Sequence, residues 1–131
     1  MKPVILVTRK LPDVVEDLLR RDFDPILNPN DTLYSSDEII ERAKGVDAIL
    51  PCHTEHFTAE VIARLPESVR VIANYSVGYD HVDIKAAKAR GIIVTNTPEV
   101  LSDATAELTM MLMLGAARRA SEGEQIGRAH V

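Results

Sequence analysis

The feature that most limits how this chain can fold is a short apolar run that returns at intervals with little polar alternation. Val4-Ile5-Leu6-Val7, Val46-Asp47-Ala48-Ile49-Leu50, Val69 to Ala73 and Ile92-Ile93-Val94-Thr95 all have this character. Strands without an in/out alternation are buried on both faces, which happens in parallel sheets covered by helices. Phe23 to Leu27 is a poorer strand, broken by Pro25, and fits only a sheet edge where a missing N–H is tolerated.

Helical patterns fill the gaps. Pro12 opens the first, with Val14, Val15, Leu18 and Leu19 on one face and Glu16, Asp17, Arg20 and Arg21 on the other. Ser35 or Ser36 caps the second, which carries Ile39, Ile40 and Ala43 and stops at Gly45. Thr58 caps the third, with Val61, Ile62 and Leu65, and Pro66 ends it. A fourth runs from Val82 to Arg90, with Gly91 as the residue past its end. The pairs Glu16 with Arg20 and Glu38 with Arg42 read as i,i+4 pairs on solvated faces. Five strand and helix pairs in alternation predict an α/β, doubly wound parallel sheet with right-handed crossovers.

The last helix, about Ser102 to Arg119 with Ser102 or Asp103 as cap, is apolar nearly all round: Leu108, Met110, Met111, Leu112, Met113 and Leu114 leave no polar face. It is too short for a membrane span and contains Glu107. Such a helix is expected to seek a partner, either the sheet of its own domain or a second copy as a homodimer.

Within the fourth strand and its loop, Val71-Ile72-Ala73-Asn74-Tyr75-Ser76-Val77-Gly78-Tyr79-Asp80-His81-Val82-Asp83, a β-branched run breaks into small and polar residues before helical pattern resumes. In an open α/β sheet such a loop lies at the carboxyl end of a strand, where ligands bind. Backbone N–H groups there and the positive end of the next helix favour an anion, and a small carboxylate is the first ligand to place. The bland alternative is that Gly78 is only a turn glycine with positive φ.

Cys52, His53, Glu55 and His56 resemble metal ligands by composition, yet no paired ligand motif accompanies them, and no metal is expected. His81 reads as a first-turn helix residue rather than a proton donor. A net charge of -5 with dispersed basic residues leaves no footprint for nucleic acid or an anionic membrane. The single cysteine excludes an intrachain disulfide and, without a leader segment, points to a reducing, cytoplasmic setting.

Three motifs in order carry a resemblance: Asn74 to Asp83, then Ala89-Arg90-Gly91-Ile92-Ile93-Val94-Thr95-Asn96-Thr97-Pro98, then Thr105-Ala106-Glu107 in an apolar helix followed by Arg118-Arg119. Together they resemble the D-isomer-specific 2-hydroxyacid dehydrogenases, most closely the glyoxylate and hydroxypyruvate reductases, from the first strand to about Gln125. The resemblance implies a flavodoxin-like five-stranded sheet of order 2-1-3-4-5 in three αβα layers, spanning 1–101. It implies an interdomain helix over 102–120 and leaves 121–131 as a tail whose last residues depart from the family's continuation, as a truncated end would.

The activity so implied is hydride transfer between NAD(P)H and a 2-oxo acid, in a cleft closed by a Rossmann domain. The family's catalytic Arg, Glu and His lie downstream of the matched segment, and no G-x-G-x-x-G occurs among the six glycines. The expectation is an isolated substrate-binding half with no catalytic residue and no cofactor of its own, inactive alone, with weak affinity for a small 2-oxo or 2-hydroxy carboxylate. By resemblance Val77 and Gly78 give N–H groups to the carboxylate, while Ser76 and Tyr75 shape the loop. His53 faces the same crevice, where relatives often have an apolar residue. Thr105 touches cofactor only in a full-length context. The alternative is a stand-alone flavodoxin-like binding module or a self-associating structural module. An FMN carrier would need a phosphate-cradling loop after the first strand, where this chain has Thr8-Arg9-Lys10-Leu11-Pro12.

Overall fold

Strand β1 (Val4–Val7) is flanked on both sides, by β2 (Asp24–Ile26) and β3 (Ala48–Leu50), and β4 (Val71–Ala73) and β5 (Ile93–Thr95) extend the sheet beyond β3. All pairings are parallel and the order is β2-β1-β3-β4-β5, as the resemblance implies. The Pro25 strand is indeed at the edge, with Pro25 opposite Ile5. The computed structural model describes residues 1–129, which divide into a unit Met1–Pro98 and a second unit from Glu99 onward.

Side chains of the sheet sort by face. Leu6, Ile49 and Ile72 point into a core shared with Ile39 of α2 (Ser36–Arg42), Val61 and Ile62 of α3 (Ala59–Arg64) and Ala87 of α4 (Ile84–Ala89). Ile5 and Val7 point the other way, against Leu11 in the preceding turn and Leu19 of α1 (Asp13–Asp22). Phe57, Leu6, Ile49, Ile62 and Ile72 are fully buried, each contributing about 1.5–3 kcal/mol of apolar burial.

Several local expectations are corrected. Glu16 is not on a solvated face: it is 2% exposed, because Pro12 offers no side chain to cap α1 and Glu16 folds back instead. Its Oε1 accepts the Leu11 N–H at 3.2 Å and its Oε2 meets Lys10 Nζ at 2.8 Å. Glu38 closes a capping box with Ser35 rather than pairing with Arg42, whose guanidinium sits 4.3 Å over the Tyr34 ring.

Helix α4 starts at Ile84, not Val82, because Val82 forms an isolated parallel bridge with Phe57. The Phe57 N–H donates to the His81 carbonyl at 2.7 Å and the Asp83 N–H to the Phe57 carbonyl at 2.9 Å, which holds the chain extended until Asp83 caps the helix. His81 is therefore outside the helix. Helix α5 (Ser102–Ala117) has Leu101 at its N-cap, with no side-chain cap, in place of Ser102 or Asp103. Arg119, with φ 52°, ends it, and α6 (Ala120–Ala129) occupies most of the expected tail. The side chains of Leu108 and of Met110 to Leu114 are between 53% and 61% exposed. Among the described residues no helix is long and apolar enough to cross a membrane.

Candidate functional site

The loop after β4 is fastened from both sides at the carboxyl edge of the sheet. Asn74, 4% exposed, donates its backbone N–H and its Nδ2 to the Thr95 carbonyl, each at 2.9 Å. The Tyr75 N–H donates to the Pro51 carbonyl at 2.8 Å, past the end of β3. Three successive carbonyls are then engaged. That of Ser76 accepts the Thr97 N–H at 3.0 Å, that of Val77 accepts Asn96 Nδ2 at 2.7 Å, and that of Gly78 accepts Ser76 Oγ at 2.7 Å. Among the described residues, no hydrogen bond uses the amides of Ser76, Val77 and Gly78. Fixed carbonyls with unused amides make a donor array suited to a carboxylate.

Gly78 is not a turn glycine in the positive-φ sense. The glycines in that region are Gly45 and Gly91, at φ 74° and 70°, which end α2 and α4. A Cβ built on Gly78 would meet nothing nearer than Asp80 Oδ2 at 4.0 Å. Neither backbone conformation nor packing within the chain calls for glycine here, whereas close approach of a ligand to the amides would.

A cavity of about 300 Å³ opens beside this loop, lined by His53, His56, Gly78, Asp80 and His81. His53 and Gly78, singled out separately in the sequence, thus share one wall. His81 Nε2 lies 2.8 Å from Asn74 Oδ1. Since Asn74 Nδ2 is the donor to Thr95, its Oδ1 is an acceptor, so His81 Nε2 carries the proton and Nδ1 of the neutral ring is left as an acceptor. Burial pushes the His81 imidazole below its ordinary pKa, and neighbouring His56 and His53 push it further the same way.

The loop that carries His53 and His56 is braced from below. Glu55, 3% exposed, accepts the Cys52 N–H at 3.0 Å and the Thr54 hydroxyl at 2.9 Å. Arg9 donates Nη1 to Thr54 Oγ1 at 2.8 Å and grips Asp31 with Nε and Nη2 at 2.8 and 3.0 Å. Thr54 is thereby committed to this brace. Among the described residues no group of three or more His, Cys, Asp or Glu could hold a metal ion, and Glu55 is turned away to its backbone partner.

A larger cavity of about 480 Å³ along β5 is walled by Ile84, Ile92, Ile93 and Val94, with Lys88 its one charged lining residue.

Sequence reasoning missed Asn74 and Asn96 as organisers of the loop. Both follow directly on strands at the binding edge, a signal that was available, but their partners lie 21 and 19 residues away. It also missed His81, whose bond to Asn74 spans seven residues. Thr105 lies in α5, where its carbonyl accepts the Thr109 hydroxyl at 2.7 Å.

The residues present do not fit a dinucleotide or FMN phosphate. The turn after β1, where a doubly wound sheet would cradle one, has three of its amides occupied: Thr8 N–H on Leu50 O, Lys10 N–H on Asp31 Oδ1 and Leu11 N–H on Glu16 Oε1. Gly115, Gly123 and Gly127 lie within α5 and α6.

A five-stranded parallel sheet with a loop of unused amides at its carboxyl edge defines a small doubly wound α/β domain. Residues 5–127 match the family model described as D-isomer specific 2-hydroxyacid dehydrogenase, catalytic domain, and the chain belongs to that family. It is 46% identical over 127 residues to a glycerate dehydrogenase of Hyphomicrobium methylovorum, covering 97% of this chain and 39% of that protein. It is 39% identical over 129 residues to a glyoxylate reductase of Thermococcus gammatolerans, covering 98% of this chain and 38% of that one. Among solved structures, an NADPH-dependent glyoxylate/hydroxypyruvate reductase from Sinorhizobium meliloti, in complex with NADP and malonate, superposes with a TM-score of 0.70 at 30% identity over 88% of this chain and 34% of its own. The chain thus spans about two fifths of the length of the curated relatives it matches.

Proposed function

We propose that this chain is the substrate-binding half of an NAD(P)-dependent 2-hydroxyacid dehydrogenase of the glyoxylate/hydroxypyruvate reductase type. The parent reaction is reduction of a 2-oxo acid by NAD(P)H to the 2-hydroxy acid. The observation that carries the reading is the loop in which the carbonyls of Ser76, Val77 and Gly78 are all engaged while their amides are not. Val77 and Gly78 donate to the substrate carboxylate, Ser76 fixes the loop through its hydroxyl, and His53 faces the remainder of the substrate across the shared cavity. The names of the relatives, glycerate dehydrogenase and glyoxylate reductase, support the substrate class.

The chain has no catalytic residue of its own in this reading. The cofactor belongs to the longer parent protein, where Thr105 would meet it. The largely apolar, exposed α5 is proposed to pair with a second copy of the chain.

The test has two arms. Purified chain mixed with glyoxylate or hydroxypyruvate and NADH or NADPH is expected to leave absorbance at 340 nm unchanged, and robust turnover would overturn the reading. Glyoxylate titrated into ¹⁵N-labelled chain is expected to shift the Val77 and Gly78 amides with a Kd of about 1 mM or weaker, since only half of a clamp is present. Shifts confined to other residues would remove the site from this loop.

A further inference from the structure

Three histidines around one small cavity are more than a carboxylate on two amides requires. His53 and His56 stand on the loop after β3, His81 on the loop after β4, and Gly78 joins them in the same wall. Among the described residues the only other titratable group lining the cavity is Asp80. Resting on the carboxylate site proposed above, we propose that this cavity is a second anionic subsite, so that the chain prefers small carboxylates bearing another negative group, and does so in acid rather than at neutral pH.

The charges that face the imidazoles set the sign. Asp80 lines the cavity and the buried Glu55 carboxylate adds its field at His81, so the fixed charges acting on the imidazoles are negative. Arg9 does not offset this, because both arms of its guanidinium are spent on Asp31 and Thr54, and Asp83 is tied to the start of α4. An anion entering at neutral pH is repelled by Asp80. Proton uptake by the imidazole cluster around the same space reverses that sign.

The geometry favours proton uptake coupled to ligand uptake. His81 is held neutral by burial and by the two neighbouring imidazoles, and an anion in the cavity would cancel part of both penalties. Its Nε2 stays on Asn74, so a proton added at Nδ1 creates a new donor without breaking the existing bond. Linkage then requires that affinity rise with acidity, by up to about tenfold per pH unit for each proton taken up. Gly78 belongs both to the amide array and to the cavity wall, so the two subsites adjoin and one small ligand can bridge them.

The experiment compares acetate with sulfoacetate, whose sulfonate stays ionised throughout, by ¹⁵N and histidine ring NMR at pH 7.5 and 5.5. The chain and its His53→Ala/His56→Ala variant are titrated in parallel. Both histidines are exposed, so the variant is expected to fold. The expected result is that sulfoacetate gains roughly tenfold or more over acetate on acidification of the unaltered chain, with an upward shift of the His81 titration, and that the variant loses most of this gain. If acetate shifts Val77 and Gly78 but sulfoacetate gains nothing at pH 5.5, the second subsite is wrong and the carboxylate loop stands. An equal gain in the variant would also refute the subsite, because the positive charge would come from elsewhere. If neither ligand perturbs the loop at either pH, both readings fall together.

Discussion

Replacing Gly78 with alanine separates two reasons a loop can have for a glycine. Where glycine serves a positive φ, an added Cβ strains the backbone and the protein unfolds more easily. Gly78 is outside that region, and the nearest atom to its added Cβ is 4.0 Å away, ordinary contact distance. Alanine should therefore stabilise the domain by about 0.4–1 kcal/mol through the lower entropy of its unfolded chain. For a unit of this size that raises Tm by roughly 2–8 °C.

The same methyl group is attached to the residue whose own amide belongs to the array and which lines the cavity, and so crowds an approaching ligand. Displacing one charge-assisted N–H bond costs a carboxylate about 1.5–3 kcal/mol. That weakens glyoxylate roughly ten- to 150-fold, from about millimolar to tens of millimolar or beyond. Urea unfolding followed by circular dichroism, together with the NMR titration of the same sample, reads both quantities. A variant that is less stable would show that the loop conformation differs from the one described. A variant that binds glyoxylate as tightly as the unaltered chain would show that these amides are not the ligand.

Two predictions concern the frame rather than the site. Glu16→Ala leaves the Leu11 N–H without its acceptor and Lys10 without its closest partner at a buried position, and should cost about 1–3 kcal/mol, whereas Glu16→Gln keeps the acceptor and should cost less. Equal losses for the two variants in urea would refute the capping role. The Arg9 guanidinium beside Asp31 holds its carboxyl down to about 2, so its contribution to stability is complete above the ordinary carboxylate pKa and drains away as pH falls from about 4 through about 2. The urea midpoint of the unaltered chain should fall more steeply over that interval than that of Asp31→Asn, and parallel profiles would refute the assignment.

Strand and helix positions were legible because each is written in a local pattern. The apolar runs of β1 and β3, the Pro25 edge strand and the Ser35 and Thr58 caps depend on neighbours a few residues away, and the structure has them in the expected places. Errors came where a backbone partner outbid the expected side-chain or helical one. Glu16 keeps Arg20 at 3.4 Å but is drawn inward to the Leu11 N–H, and Glu38 turns from Arg42 to the Ser35 N–H, because amides at helix starts had to be satisfied. The bridge from Phe57 to Val82 delayed α4 by two residues.

The sequence alone determined the sheet, because burial on both faces and helical periodicity leave few other ways to pack such a chain, and it singled out the loop from Asn74 to Asp83 as the place for an anion. Only the tertiary structure decided which groups in that loop are available. Carbonyls of residues 76–78 are tied up by Thr97, Asn96 and Ser76, and His81 takes its tautomer from Asn74. His53, His56 and Gly78 meet in one wall because parallel strands β3 and β4 end side by side, bringing together loops that lie more than twenty residues apart in the chain. Proximity of that kind follows from strand order, which no local spacing encodes.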